Sequence, residues 1–227
     1  MPIQAVKAQT TENNIDNLLA TMGVKADEAV ARAIAALLRT DSHVGTGVLE
    51  TSAAIQELEL TLHQVVVSAL ETGALEAAEI KRLTSAANLS KDLSRLGKLA
   101  ASLGQKVTEV GTHYDHEDFS RLQPLAIAVS HLCRQTLRSL ARLDPVLARN
   151  AAAGGASVDA YRDYVLRGRS VHPSHATNEQ ALHLIFASRC LEQIADNAAH
   201  LAENLVGFLD GRIDPDNRQK YGFRRTA

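Results

Sequence analysis

The chain has 227 residues, of which 45% are apolar, 22% charged and only 4% aromatic, with a formal charge of −2. Its 36 Ala and 30 Leu against 5 Pro and no Trp favour helices and exclude sandwich, barrel, collagen-like and disordered classes. A charge so near balance speaks against a dedicated nucleic-acid binder, which carries a clustered basic surface.

Apolar residues recur at helical spacing nearly throughout, which predicts an all-α protein. A first helix is expected from about Glu12 to Thr40, its stripe made by Ile15, Leu18, Leu19, Met22, Val30, Ile34, Leu37 and Leu38. Asp41 and Ser42 offer oxygens that can cap the next helix, expected over Val44–Glu71, with Gly73 as its stop. A third helix is expected over Leu75–Val107. The periodicity lapses at Gly111–Asp118, the polar run GTHYDHED, which reads as a connector. Three further helices are expected over Phe119–Leu143, Asp144–Leu166 and Thr177–Leu209. Pro124 suits a first turn, Thr177 with Gln180 suits a capping box, and Gly154-Gly155 should weaken the fifth helix.

The two halves look alike. Leu37-Leu38-Arg39-Thr40-Asp41 and Leu140-Ala141-Arg142-Leu143-Asp144 share the pattern LxRxD, 103 residues apart. LSRLGKLAASLG from Leu93 pairs with LEQIADNAAHLA from Leu191, 98 residues on. This spacing argues for an internal duplication that makes two related three-helix bundles. Their expected bounds are residues 1–111 and 119–212, joined by a connector at 112–118 and followed by a tail at 213–227. The same pattern also permits one continuous six-helix bundle. The longest uncharged run, Leu122–Cys133, is too short to insert into a membrane. Cys133 and Cys190 stand apart and suit a reducing compartment, and no secretory leader pattern is present, so a cytoplasmic location is expected.

The sixth expected helix carries the clearest candidate chemistry. Glu192, Asp196 and His200 fall at i, i+4 and i+8, and Glu203 returns to within about 20° of Glu192. Carboxylates and imidazole on one stripe can hold a divalent cation if a neighbouring helix adds oxygen ligands, although solvated helix faces often show the same spacing. At the equivalent positions of the third helix stand Ser94 and Lys98, and a protonated ammonium offers no lone pair. Asp92 then reads as an isolated carboxylate. The pairs His113 with His116 and His172 with His175 lack the further ligands zinc needs and read as solvated loop residues. No HExxH, GxSxG, P-loop or GxGxxG occurs, nor any Glu-x-x-His pair of the di-iron kind, so no catalytic residue and no organic cofactor is assigned. From Arg212 onward five basic residues face two Asp, which suits a solubilising terminus or a docking segment for an acidic partner.

Leu191-Glu192-Gln193-Ile194-Ala195-Asp196-Asn197-Ala198, continuing to Leu201-Ala202-Glu203, resembles the LERIGDHA..IAE signature that closes each repeat of the PhoU family. Asp92-Leu93-Ser94-Arg95-Leu96-Gly97-Lys98 is its first-half counterpart. Met22-Gly23, and Val48-Leu49 followed by Ile55, Leu58 and Glu59, follow the same family pattern. The resemblance covers about Glu12 to Ile213. It implies two related three-helix bundles and an adaptor, not an enzyme, between the ATPase of a phosphate ABC transporter and a membrane histidine kinase. It further implies a homodimer and bound iron, zinc, magnesium or manganese held by E/DxxxD motifs. Carried over residue by residue, only Glu192 and Asp196 retain that motif, with Asp159 and Asp163 on the fifth helix as partners across the groove. Asn197 replaces the usual His, Ser94 and Lys98 interrupt the first-repeat motif, and Ser52 stands where an Asp is common. Beside this reading stand a diverged helical interaction protein without a phosphate role and a metal-dependent hydrolase built on the acidic stripe.

Overall fold

In the computed structural model, residues 3–39, 42–71, 73, 75–110, 122–154 and 178–210 are described. Six helices account for them: α1 (Ile3–Arg39), α2 (Ser42–Glu71), α3 (Ala77–Val110), α4 (Gln123–Arg142), α5 (Pro145–Ala153) and α6 (Asn178–Asp210). No strand occurs among the described residues. The first helix begins nine residues earlier than its apolar stripe suggests. Residues 3–11 contain no Gly or Pro, so backbone propensity carries the helix back to Ile3 without help from a periodic pattern.

The helix ends follow from identifiable residues. Gly73 takes φ +72° and donates its N–H to Leu70 O at 3.3 Å, the left-handed stop that glycine adopts without a Cβ penalty. Glu79 then reaches back to accept from Glu76 N at 2.8 Å, anchoring the start of α3. Pro124 sits in the first turn of α4, where its missing N–H costs no helical bond. The LxRxD pattern acquires a physical meaning at the other end of α4. Leu143 turns into the left-handed region at φ 51°, with Asp144 N donating to Ser139 O at 3.0 Å. Asp144 then caps α5 by accepting from Val146 N and Leu147 N at 2.9 and 3.1 Å. The motif therefore stops one helix and starts the next within three residues. Its first-half copy, with Thr40 and Asp41, lies outside the described residues, as does the Thr177 cap. α5 ends at Ala153, with Gly154 as its cap, short of the expected Leu166, and residues 155–177 are outside the described set.

Packing groups the helices into two trios. α1, α2 and α3 pack on one another, and α4, α5 and α6 do the same. The trios meet where α3 lies along α6 and α1 along α4, and one continuous apolar core runs through both. Both seams are antiparallel. Along α3 and α6, Arg82 lies over the Phe208 ring at 5.7 Å and Lys106 over Phe186 at 5.5 Å, a cation–π contact at each end. Along α1 and α4, Gly23 permits close approach, since a Cβ there would stand 3.1 Å from Leu140 Cδ2. Among the described residues no helix is long and apolar enough to cross a membrane.

Candidate cation stripe and the polar seam beside it

The acidic stripe of α6 lies opposite a fully buried face made by Leu191, Ile194, Leu201 and Leu205, so its side chains are spared from the core. Glu192 is largely covered, at 22% exposure, and accepts from Arg189 Nη1 at 3.5 Å. Asp196 is exposed and also has an interaction partner. His200 is exposed, but its ring turns toward Asn204: Nε2 lies 3.1 Å from Asn204 Nδ2, and Nδ1 lies 3.9 Å from Glu203 Oε2. Asp159 and Asp163, and the pairs His113/His116 and His172/His175, lie outside the described residues. Among the described residues no three His, Cys, Asp or Glu side chains come together as a metal-ligating group. Carboxylates and imidazole are the right donor kinds for a divalent cation. The described set presents them along a line, with Arg189 at one end competing for Glu192.

Among the described residues, the first-half positions equivalent to the stripe do not fit a cation. Ser52 and Ser94 are buried, at 4% and 1% exposure, and Lys98 is exposed. Gly97 brings α3 against α2 here, since a Cβ would stand 2.8 Å from Ile55 Cδ1 and 3.6 Å from Ser52 Oγ. Gln56 Nε2 donates to Ser52 O at 3.3 Å. Hydroxyls in a tight helix contact, with no carboxylate, replace the oxygen-rich groove a cation needs.

Asp92 is not the isolated carboxylate that its neighbours in sequence suggest. Asn204 Nδ2 donates to Asp92 Oδ2 at 2.6 Å, tying α6 to α3. The Ser102 hydroxyl lies near the Cys190 thiol on the same seam and acts to lower its pKa. Cys190, Asn197 and Asn204 are seven residues apart, which keeps them within about 40° of one another on α6. Asn197 thus points toward α3, and its amide Nδ2 and Oδ1 are buried without a hydrogen-bond partner. That heptad of small polar residues was the available signal for this seam, but it is masked by the acidic residues interleaved with it. The two thiols are poor nucleophiles. Burial pushes Cys133 from 9.0 up to about 12, with the Asp27 charge adding to the effect. Burial also raises Cys190, against the lowering effect of the Ser102 hydroxyl.

Comparison with known proteins agrees with this architecture. The family model described as the PhoU domain matches residues 19–107, which span most of α1 to α3. The chain is 23% identical over 210 residues to a phosphate-specific transport system accessory protein PhoU homolog of Xylella fastidiosa (strain Temecula1 / ATCC 700964), covering 92% of this chain and 87% of that one. It is 23% identical over 208 residues to phosphate-specific transport system accessory protein PhoU of Serratia marcescens, covering 88% and 83%. Among solved structures, PhoU from Pseudomonas aeruginosa superposes with a TM-score of 0.81 at 22% identity, covering 89% of this chain and 99% of that one. The phosphate transport system regulatory protein PhoU from Streptococcus pneumoniae superposes with a TM-score of 0.74 at 16% identity, covering 89% and 96%. The chain thus carries a match to the PhoU domain over residues 19–107, is similar to PhoU proteins along most of its length, and shares their fold over both trios.

Proposed function

We propose that this protein is a non-catalytic regulator of phosphate uptake and phosphate-starvation signalling. It acts as an adaptor between the ATPase of a phosphate ABC transporter and a membrane histidine kinase, in the cytoplasm and as a homodimer. The observation that carries the reading is the span of the likeness, which runs through both trios to relatives whose names describe accessory proteins of phosphate-specific transport. In this reading the second half takes a divalent or trivalent cation through Glu192, Asp196 and His200 of α6, with Asp159 and Asp163 as partners. The cation would stiffen that trio and tune a docking face.

Affinity capture from phosphate-replete and phosphate-starved cells, read by mass spectrometry, tests the adaptor role. Recovery of a phosphate-transporter ATPase or a histidine kinase, changing with phosphate supply, is the expected result. Recovery of neither by a folded bait overturns it. The cation has its own test: Glu192→Ala with Asp196→Ala should abolish bound metal by elemental analysis, and unchanged metal content removes these ligands from the site.

A further inference from the structure

On the α1–α4 seam lies a groove of about 390 Å³, with an apolar floor of Ala31, Ile34, Ala35 and Leu38 from α1 and Ile127 from α4. Its α4 wall carries a basic edge. Ile127, His131, Arg134, Arg138 and Arg142 are all exposed and fall within about 80° of one another at helical spacing. They form one stripe about 22 Å long. Arg32, Arg82, Arg149 and Arg189 each face a described carboxylate, whereas Arg134, Arg138 and Arg142 make no ion pair with any described residue. Asp27, part-buried on α1 and near Cys133, makes no ion pair with the stripe either.

An apolar trough beside three exposed guanidiniums that meet no described carboxylate suits a partner with an apolar face and an acidic edge, and this defines its occupant. We propose that it binds an amphipathic helix of a partner protein, about four turns long, with apolar residues seated on Ala31, Ile34, Ala35 and Ile127. Asp or Glu side chains along one edge of that helix, spaced three or four residues apart, meet Arg134, Arg138 and Arg142. A second copy paired through this same face would bring the same positive stripe and be repelled. A bilayer surface is too flat to reach the floor, where Ile34 is 5% exposed. Nucleic acid would leave that floor unfilled. The inference needs a docked partner only, so it stands or falls apart from any role in phosphate signalling.

The test places a photo-crosslinking amino acid at position 127 of the full chain in living cells and identifies the captured peptide by mass spectrometry. The captured segment is then synthesised and its affinity measured by fluorescence anisotropy. The expected segment is amphipathic with periodic Asp or Glu. Its binding weakens about tenfold or more for Arg134→Glu with Arg138→Glu, and also as salt is raised from about 50 to about 300 mM. The milder pair Arg134→Gln and Arg138→Gln should weaken it in the same direction, with far-ultraviolet circular dichroism unchanged. Capture of lipid, nucleic acid, a second copy or a segment without acidic periodicity overturns the proposal. So does an affinity indifferent to the charge reversals, and so does the absence of any crosslink.

Discussion

Single residues show how little of this molecule's polar chemistry is nucleophilic. Cys133 is fully enclosed, and burial beside the Asp27 charge lifts its pKa from 9.0 to about 12. The folded state therefore keeps a proton that the unfolded chain releases at lower pH. The stabilisation is fully present below about pH 9 and is lost as pH rises toward about 12, by up to ~1.4 kcal/mol per pH unit. With reductant present, the melting temperature should fall from about pH 8 to about pH 11, and Cys133→Ala should flatten that fall. Equal slopes for both proteins would show that other groups govern the alkaline limit. The candidate ligands Glu192, Asp196 and His200 were legible at this scale, because one helical stripe follows from spacing alone. The turn of His200 toward Asn204 was not, since it depends on Asp92, 112 residues from Asn204 in sequence.

At the scale of the helix, α6 serves two neighbours with interleaved stripes. Its acidic edge meets solvent, and the heptad Cys190, Asn197, Asn204 faces α3. Asn197 is the costly member, because its buried amide has no partner, whereas the repeat places Leu99 at the equivalent position of α3. Asn197→Leu should therefore stabilise the protein by about 1–2 kcal/mol, raising the melting temperature by about 3–6 °C. A lower melting temperature would mean that the amide finds a partner in solution that outweighs its burial. Helix ends were readable where a residue type dictates the backbone. Gly73 stops α2 and Pro124 opens α4 as their chemistry requires. The left-handed Leu143 carries no such compositional mark, and Asp144 is marked only as an expected helix start. Together they show what the second LxRxD does: it is a junction between α4 and α5.

Across the whole molecule, the trios are bound together by long-range contacts. Arg82, at 13% exposure, pairs with Glu12 at 2.5 Å and Asp16 at 3.2 Å on α1 while lying over Phe208 of α6. It thus links three helices drawn from both halves. Arg82→Ala leaves two carboxylates without their cation and should cost about 2–3 kcal/mol. In calorimetry this should appear as one unfolding transition shifted down by about 5–10 °C. Two resolved transitions would show that each trio melts by itself despite the shared core.

The sequence by itself determined the helical class and pointed to a duplication and a PhoU-like pattern, because helical periodicity and a repeat interval are local or nearly local properties. It also showed that Ser94 and Lys98 deprive the first half of carboxylate ligands. Only the tertiary structure decided how the halves meet and how one core runs through both. It also decided that Asp92 is tied to Asn204, and that the basic stripe of α4 borders an apolar trough on α1. The physical reason is the same in each case. A helix advertises which of its faces is apolar, but which neighbour covers that face depends on antiparallel register between segments about a hundred residues apart, and that register is set by packing.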